Sequence, residues 1–318
     1  MGRLCTDFCN INKGMGLLNA VKLILLPRIL SRLKIKNSGE RTIEKFISDN
    51  FSSVLGKYKK CSIPNDYHIY IPNVIWVFWW QGISGMPPVI RVCYESIKRN
   101  ANGRKVILID QCNYISYVTL PEYILNKFQK GKISFTHFSD ILRVALLKEY
   151  GGLWIDAAIF VTKPIPYFKS LFYSPRLSLD LQESPHMSQW VMGVMGTPAK
   201  MPLFLYMYDL LLAYWAKYDT VFSYLMFDYF IKYGYNHIYW IRNLISDRPI
   251  ESPDLHFSRY NFAKKVDNEI LDKLLKENTF LSLTYRIHYP KYVDGNKETY
   301  YTALLKKYNY DEYTNRGG

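Results

Sequence analysis

Two acids and an arginine stand out in the stretch from His137 to Phe160, HFSDILRVALLKEYGGLWIDAAIF. On a helix, Asp140 and Arg143 lie three residues apart and share a face. Asp156 follows Gly152 by four residues, with apolar Leu153 to Ile155 before it and Ala157 to Val161 after it. A lone carboxylate in so apolar a run is costly to desolvate unless a cation meets it. A metal ion, Arg143 or both supply that cation, and an ordinary buried Asp–Arg ion pair is the alternative. Either way the stretch concentrates fixed charge, the raw material of a site for an ionised ligand.

The elements around these residues follow from hydrophobic period. Val74 to Trp80 (VIWVFWW) is a continuous apolar, β-branched and aromatic run and predicts a buried strand. Pro87 to Asn100 has helical spacing, and Lys105 to Asp110 (KVILID) is a second buried strand ending in an acid. Pro121 to Lys130 and His137 to Tyr150 read as helices. The second is ended by Gly151-Gly152, which permits a left-handed turn into the next strand. Leu153 to Val161 is a third strand, interrupted by Asp156. Beyond Trp190 the pattern turns helical, with Met201 to Lys217, Asp219 to Tyr233, Asp267 to Glu277 and Lys297 to Tyr308. Strands alternating with helices predict an α/β fold with a mostly parallel central sheet and helical additions at the N-terminus and in the C-terminal half. Ligands gather at the carboxyl ends of such strands, so Asp110 and Asp156 are expected to face one crevice. A boundary is expected near Asn65 to Pro72, separating a basic, partly amphipathic helical segment (1–65) from the main domain (66–318).

These motifs, in this order, resemble the capsular polysaccharide synthesis family, which is related to glycosyltransferase family 32 and more distantly to the large clostridial glucosylating toxins. The similarity runs from about Ile71 to Pro164 and continues more weakly toward Tyr308. It is carried by Ile75 to Gly82 (IWVFWWQG), the Asp110 to Asn113 turn, Ser139 to Arg143 (SDILR) and Gly151 to Asp156 (GGLWID). The resemblance implies a GT-A fold, a nucleotide-diphosphate sugar donor with a UDP-sugar favoured, and a Mn²⁺ or Mg²⁺ ion. It divides the domain into a donor-binding part (72–164) and a helix-rich acceptor part (165–318).

By position, Trp79 looks like the tryptophan that stacks on the donor base, with Trp76 and Trp80 better suited to the core. Asp110 and Asn113 resemble the turn that lines the nucleoside. Asp140 and Arg143 resemble the pair that holds the sugar hydroxyls and the diphosphate side, roles that suit a carboxylate and a planar guanidinium. Asp156 matches the first acid of the family's Asp-x-Asp metal motif, but the third position is Ala158. Hard cations take several oxygen ligands, so the missing acid weakens the metal site. His288, in Arg286 to Pro290 (RIHYP), is the candidate further ligand, or else a structural histidine. Arg286 is placed to neutralise the leaving diphosphate. Asp228 resembles a family position that touches the acceptor, with an ordinary helix-surface acid as the alternative.

The implied activity is sugar transfer to a glycan or lipid-linked acceptor in capsule, polysaccharide or lipopolysaccharide synthesis, with retention of configuration. A catalytically inactive glycan- or partner-binding homologue and a sugar-phosphate transferase are the alternatives.

Composition fits that reading. Aromatic residues make up 16% of the 318, with 28 tyrosines and 7 tryptophans, which suits both stacking sites and an aromatic core. The net charge of +14 implies an anionic partner. No basic recognition helix, zinc-finger spacing or aromatic RNA-binding motif is present, so nucleic acid is not expected. Five scattered cysteines match reduced thiols in the cytoplasm. Twelve basic residues against four acidic ones fall within 1–60. There Leu17-Leu18, Val21, Leu23 to Leu26, Ile29-Leu30 and Leu33 alternate with Lys22, Arg28, Arg32 and Lys34, and Pro27 is expected to kink the helix. A basic amphipathic segment on an anionic membrane surface, at the inner face, is the preferred expectation. A helix packed on the main domain is the alternative.

Overall fold

The computed structural model describes residues 2–33, 38–63, 70–178, 189–246, 248 and 250–310. The expected boundary from Asn65 to Pro72 lies largely outside the described residues. The chain forms two compact units. One comprises 1–67, 118–149 and 200–246, and the other 68–117, 150–199 and 247–318.

The second unit carries the strands: β1 (Val74–Phe78), β2 (Lys105–Ile109), β3 (Gly152–Ile155), β4 (Ile159–Val161), β5 (Val194–Thr197), β6 (Phe280–Ser282), β7 (Tyr292–Val293) and β8 (Lys297–Glu298). The central sheet has the order β2-β1-β3-β5. Here β1 runs parallel to both β2 and β3, and β5 closes the edge antiparallel to β3. This mixed, mostly parallel sheet is GT-A-like, as expected. Ile75 and Val77 of β1 are fully buried, as are Ile90, Val92, Cys93 and Ile97 of the Pro88–Arg99 helix. Proline in the first turn of that helix costs nothing, because its missing amide hydrogen would have no partner there.

The single strand expected over Leu153 to Val161 is two strands in two sheets. β3 joins the central sheet, and β4 pairs antiparallel with β6. The break falls at Asp156, whose amide donates to Gly193 O (2.8 Å) and whose carbonyl accepts from Ile159 N (2.9 Å). The glycine pair behaves as predicted. Gly152 has φ +95°, and a Cβ there would stand 2.5 Å from Val74 Cγ1 and 2.8 Å from Val74 O. No other residue fits that approach.

The first unit is helical. Its core is a cluster of tilted and edge-to-face aromatic rings, Phe46, Phe51, Tyr214, Phe222 and Phe230, with neighbouring ring centroids 5.5 to 6.2 Å apart. Much of the aromatic excess therefore fills a core. The helix expected from Asp219 starts only at Met226 and runs to His237. Asp219 is held in the preceding loop by ion pairs to Lys127 (2.9 Å) and Lys132. Hydrogen bonding from Lys132 above all, then from Lys127, lowers its pKa.

Pro27 does not break its helix. It sits in the first turn of Leu26–Arg32, directly after a π-helical turn over Val21–Leu25 that relieves the lost hydrogen bond. Ile11, Met15 and Ala20 are buried, so one side of the amino-terminal segment packs on the helical unit. Among the described residues, no helix is long and apolar enough to cross a membrane.

Candidate functional site

In the sheet unit, Trp79 and Trp80 follow β1 and Asp110 follows β2, at the carboxyl ends of neighbouring parallel strands. The pairing continues past the strands: Trp79 N donates to Ile109 O (3.0 Å) and Gln111 N to Trp80 O (3.1 Å). Asp110 and Asn113 then close on each other. Asp110 Oδ1 accepts from Cys112 N (2.8 Å) and Asn113 N (3.1 Å), and Asn113 Oδ1 accepts from Asp110 N (3.0 Å). Asn113 Nδ2 donates to Leu108 O at 2.8 Å. This reciprocal turn spends Oδ1 on the backbone. It leaves Oδ2 toward Gly82, where a Cβ would stand 3.3 Å away.

Trp79 is half-buried, and its indole Nε1 donates to Gly85 O at 3.0 Å. Its ring meets Tyr285 edge-on, centroids 5.5 Å apart at 89°. Tyr285 is 50% exposed, and Arg286 lies over its ring with the guanidinium 6.0 Å from the centroid. Beside them opens a cavity of about 450 Å³, whose walls include Tyr285, Arg286, His288, Tyr289 and Lys291. Tyr289 stacks on Tyr301 (4.8 Å, 25°), and burial pushes its hydroxyl pKa up to about 12. Both Arg286 and His288 are exposed. Trp76 is buried, as expected for a core residue, and its Nε1 donates to Gly151 O at 2.8 Å. Trp80 is half-buried like Trp79 and packs against Tyr114 at 5.7 Å.

Asp156 stands at the end of β3, and its Oδ1 accepts from Trp154 Nε1 at 2.6 Å. Gly193 approaches from the other side, where a Cβ would come within 3.1 Å of Oδ2. Ala158 packs against the apolar core. Among the described residues, no three His, Cys, Asp or Glu side chains group as a metal site. One carboxylate already bound to an indole is a poor match to the several oxygens a hard divalent ion takes. The residues present do not fit a divalent ion held by the protein alone.

In the helical unit, the Phe135–Tyr150 helix places His137, Asp140 and Arg143 on one face, all buried. Arg143 Nη1 lies 3.3 Å from Asp140 Oδ1, and His137 Nδ1 lies 3.4 Å from Asp140 Oδ2. Neither contact has hydrogen-bond geometry, and Asp140 Oδ1 and His137 Nδ1 find no hydrogen-bond partner among the described residues. The Arg143 guanidinium also lies over the Phe227 ring at 5.3 Å. Asp228, on the Met226–His237 helix, is buried and so is not a helix-surface acid.

Three contributors escaped the sequence reading. His137 precedes Asp140 by three residues, and that spacing alone would have found it. Trp154 leaves a similar trace, two residues before Asp156 on the same side of the chain. Tyr285 leaves none, since its contact with Trp79 joins distant parts of the chain.

The chain is 31% identical over 100 residues to the O-glycosyltransferase braB of Annulohypoxylon truncatum, covering 29% of this chain and 24% of that protein. It is 28% identical over 142 residues to an uncharacterized glycosyltransferase of Acanthamoeba polyphaga mimivirus, covering 43% of this chain and 54% of that one. The chain thus spans about a quarter and about half the length of these curated relatives. The wider match decides the family: the sequence pattern for capsular polysaccharide synthesis proteins spans residues 25–315, and the chain belongs to that family.

Proposed function

We propose that this chain is a glycosyltransferase that takes a sugar from a nucleotide-diphosphate donor, a UDP-sugar by preference. It passes the sugar to a glycan or lipid-linked acceptor at the inner face of the membrane, in capsule, polysaccharide or lipopolysaccharide synthesis, with retention. The observation that carries this reading is the aromatic corner of Trp79 and Tyr285, with Arg286 beside it, at the carboxyl ends of β1 and β2. A flat base stacks on an indole whatever its sequence of polar groups, which is why such a corner suits a nucleotide. The Asp110–Asn113 turn lines the nucleoside, and Arg286 meets the diphosphate.

In the transfer, the bond between the anomeric carbon and the diphosphate oxygen breaks, and its electron pair leaves with the diphosphate. The acceptor oxygen bonds to the anomeric carbon on the face the diphosphate leaves, which keeps the configuration, and passes its proton to the departing diphosphate oxygen. Negative charge grows on the leaving group, so a preorganised cation is the main contribution a protein can make. Arg286 takes that role here. Within the helical unit, the Ser139 to Arg143 motif and the unsatisfied Asp140 Oδ1 support Asp140 and Arg143 as a polar pair suited to sugar hydroxyls. The names of the two relatives, both glycosyltransferases, support the reaction class.

A donor screen with and without Mn²⁺, read by release of nucleotide diphosphate, tests the proposal. Release from one donor class is the expected result, and it should persist in EDTA. No preference among nucleotide sugars would favour an inactive binding homologue, a reading the missing second acid supports.

A further inference from the structure

The amino-terminal helix carries a feature its sequence alone conceals. Leu17, Leu18, Ile29 and Leu33 are 61, 67, 54 and 66% exposed, and Val21 and Leu26 are exposed as well. In a uniform α-helix each residue turns about 100°, so Leu26 would sit on the side opposite Leu17. The π-helical turn over Val21–Leu25, closed by Leu26 N donating to Val21 O, takes up one extra residue. That turns everything after it back by about 100°. Leu26, Ile29 and Leu33 then share a single arc with Leu17, Leu18 and Val21, roughly 100° wide. The result is an apolar ridge about 24 Å long at 1.5 Å per residue. Exposed Lys22 and Arg28 fall on its two flanks. Buried Ala20 lies outside the arc and anchors the helix, as do Met15, whose sulfur accepts from Tyr214 OH (3.5 Å), and Pro27, whose carbonyl accepts from Ser38 Oγ (3.1 Å).

Next to the ridge, within the same unit, is a cavity of about 520 Å³. Lys13, Lys22 and Lys217 line it together with Asn19, Asn50 and Leu18. Lys217 Nζ and Tyr218 OH both donate to Asn50 Oδ1, at 2.6 and 2.7 Å, so the amide fixes the lysine at the rim. The acid on the lining, Asp49, is ion-paired with Lys45 at 3.5 Å. Leu18 and Lys22 belong to both features: Leu18 is part of the ridge and a wall of the cavity, and Lys22 flanks one and lines the other.

We infer that this surface docks on a bilayer containing anionic lipid, the ridge entering the acyl boundary and the cavity taking one lipid headgroup phosphate. The inference rests on the membrane location proposed above and specifies the residues and the lipid class. An apolar ridge with cationic flanks matches the plane of a bilayer surface, where acyl chains lie beneath anionic headgroups. A free phosphate would satisfy the lysines and leave the ridge in water.

The test is flotation of the full chain with vesicles of phosphatidylcholine alone and of phosphatidylcholine doped with phosphatidylglycerol, without donor. Binding is expected only to the doped vesicles. Lys13→Ala, Lys22→Ala and Lys217→Ala should each weaken it by roughly fivefold. Leu17→Glu combined with Ile29→Glu should abolish it, with helicity by circular dichroism unchanged because both positions are exposed. Equal binding to both vesicles, or undiminished binding by the Glu double variant, overturns the inference. So does wild-type protein that takes up inorganic phosphate in calorimetry yet ignores doped vesicles. Nucleotide release measured without vesicles reports on the catalytic proposal separately, so failure of one leaves the other readable.

Discussion

Replacing Trp79 with alanine separates a nucleotide-stacking residue from a loop strut. Base–aromatic stacking contributes about 1–3 kcal/mol per base by alanine substitution, which corresponds to about a 5- to 140-fold loss of affinity. The structure also predicts a stability cost. Trp79 Nε1 gives up its bond to Gly85 O, about 1 kcal/mol, and its edge contact with Tyr285, about 0.5–1.5 kcal/mol. A loss of about 2 kcal/mol leaves a fold of ordinary stability, about 5–15 kcal/mol, intact. Trp79→Phe keeps a ring face for the base while losing the hydrogen bond to Gly85. Calorimetry with UDP and UDP-sugars, run beside thermal unfolding, should show Trp79→Ala weak in both measurements. Trp79→Phe should be weakened mainly in stability. Wild-type nucleotide affinity in Trp79→Ala, with only the melting temperature lowered, would refute the stacking role.

Other expectations follow from burial. Arg143→Ala strips the partner from buried Asp140 and should cost about 3–5 kcal/mol of stability, read by denaturant unfolding. Asp156→Asn keeps an acceptor for the Trp154 indole and should hold the wild-type melting temperature, whereas Asp156→Ala leaves that indole without its acceptor and should lower it, a loss of about 1 kcal/mol read by thermal unfolding. Exposed Cys5, Cys9 and Cys112 should react with a thiol reagent within minutes. Cys93, buried and with its pKa raised by desolvation, should react only on unfolding. Burial above all holds the hydroxyls of Tyr58 and Tyr289 up to about 12. The unfolded chain releases those protons near pH 10 while the folded one keeps them, so this stabilisation is complete below about pH 10 and lost toward pH 12. Melting temperatures measured across that range should decline, and a flat profile would show the two tyrosines to be unperturbed.

How much of this was readable beforehand depended on the range of the interaction. β1, β2 and the Pro88–Arg99 helix announced themselves because continuous apolar runs and helical spacing are local properties. Gly151 and Gly152 were equally plain, since a left-handed backbone selects its own residue. The division of Leu153 to Val161 into β3 and β4 was not, because both halves are apolar and nothing in them states which neighbour each pairs with. The late start of the Met226–His237 helix hinged on Lys127 and Lys132 reaching Asp219 from another segment. Likewise Tyr285, the partner of Trp79, is one tyrosine among 28 with no local mark. The π turn at Val21–Leu25 is the subtlest case: the leucines could be counted, but their common face appears only once the extra residue is accommodated.

The interleaved segments of the two units also set the timing of biogenesis. β4 pairs with β6 through Ile159 opposite Ser282, and the core of the sheet unit includes Leu304, Leu305 and Tyr310. A ribosome must therefore release nearly the whole described chain before that core can close. Until then β1, β2 and β3, an apolar sheet with β3 buried along its whole length, wait without their cover. Such long-range closure is slow, because loop entropy is lost before distant contacts repay it. The incomplete chain thus exposes apolar strand surface until its carboxyl-terminal part arrives, the condition under which aggregation competes with folding.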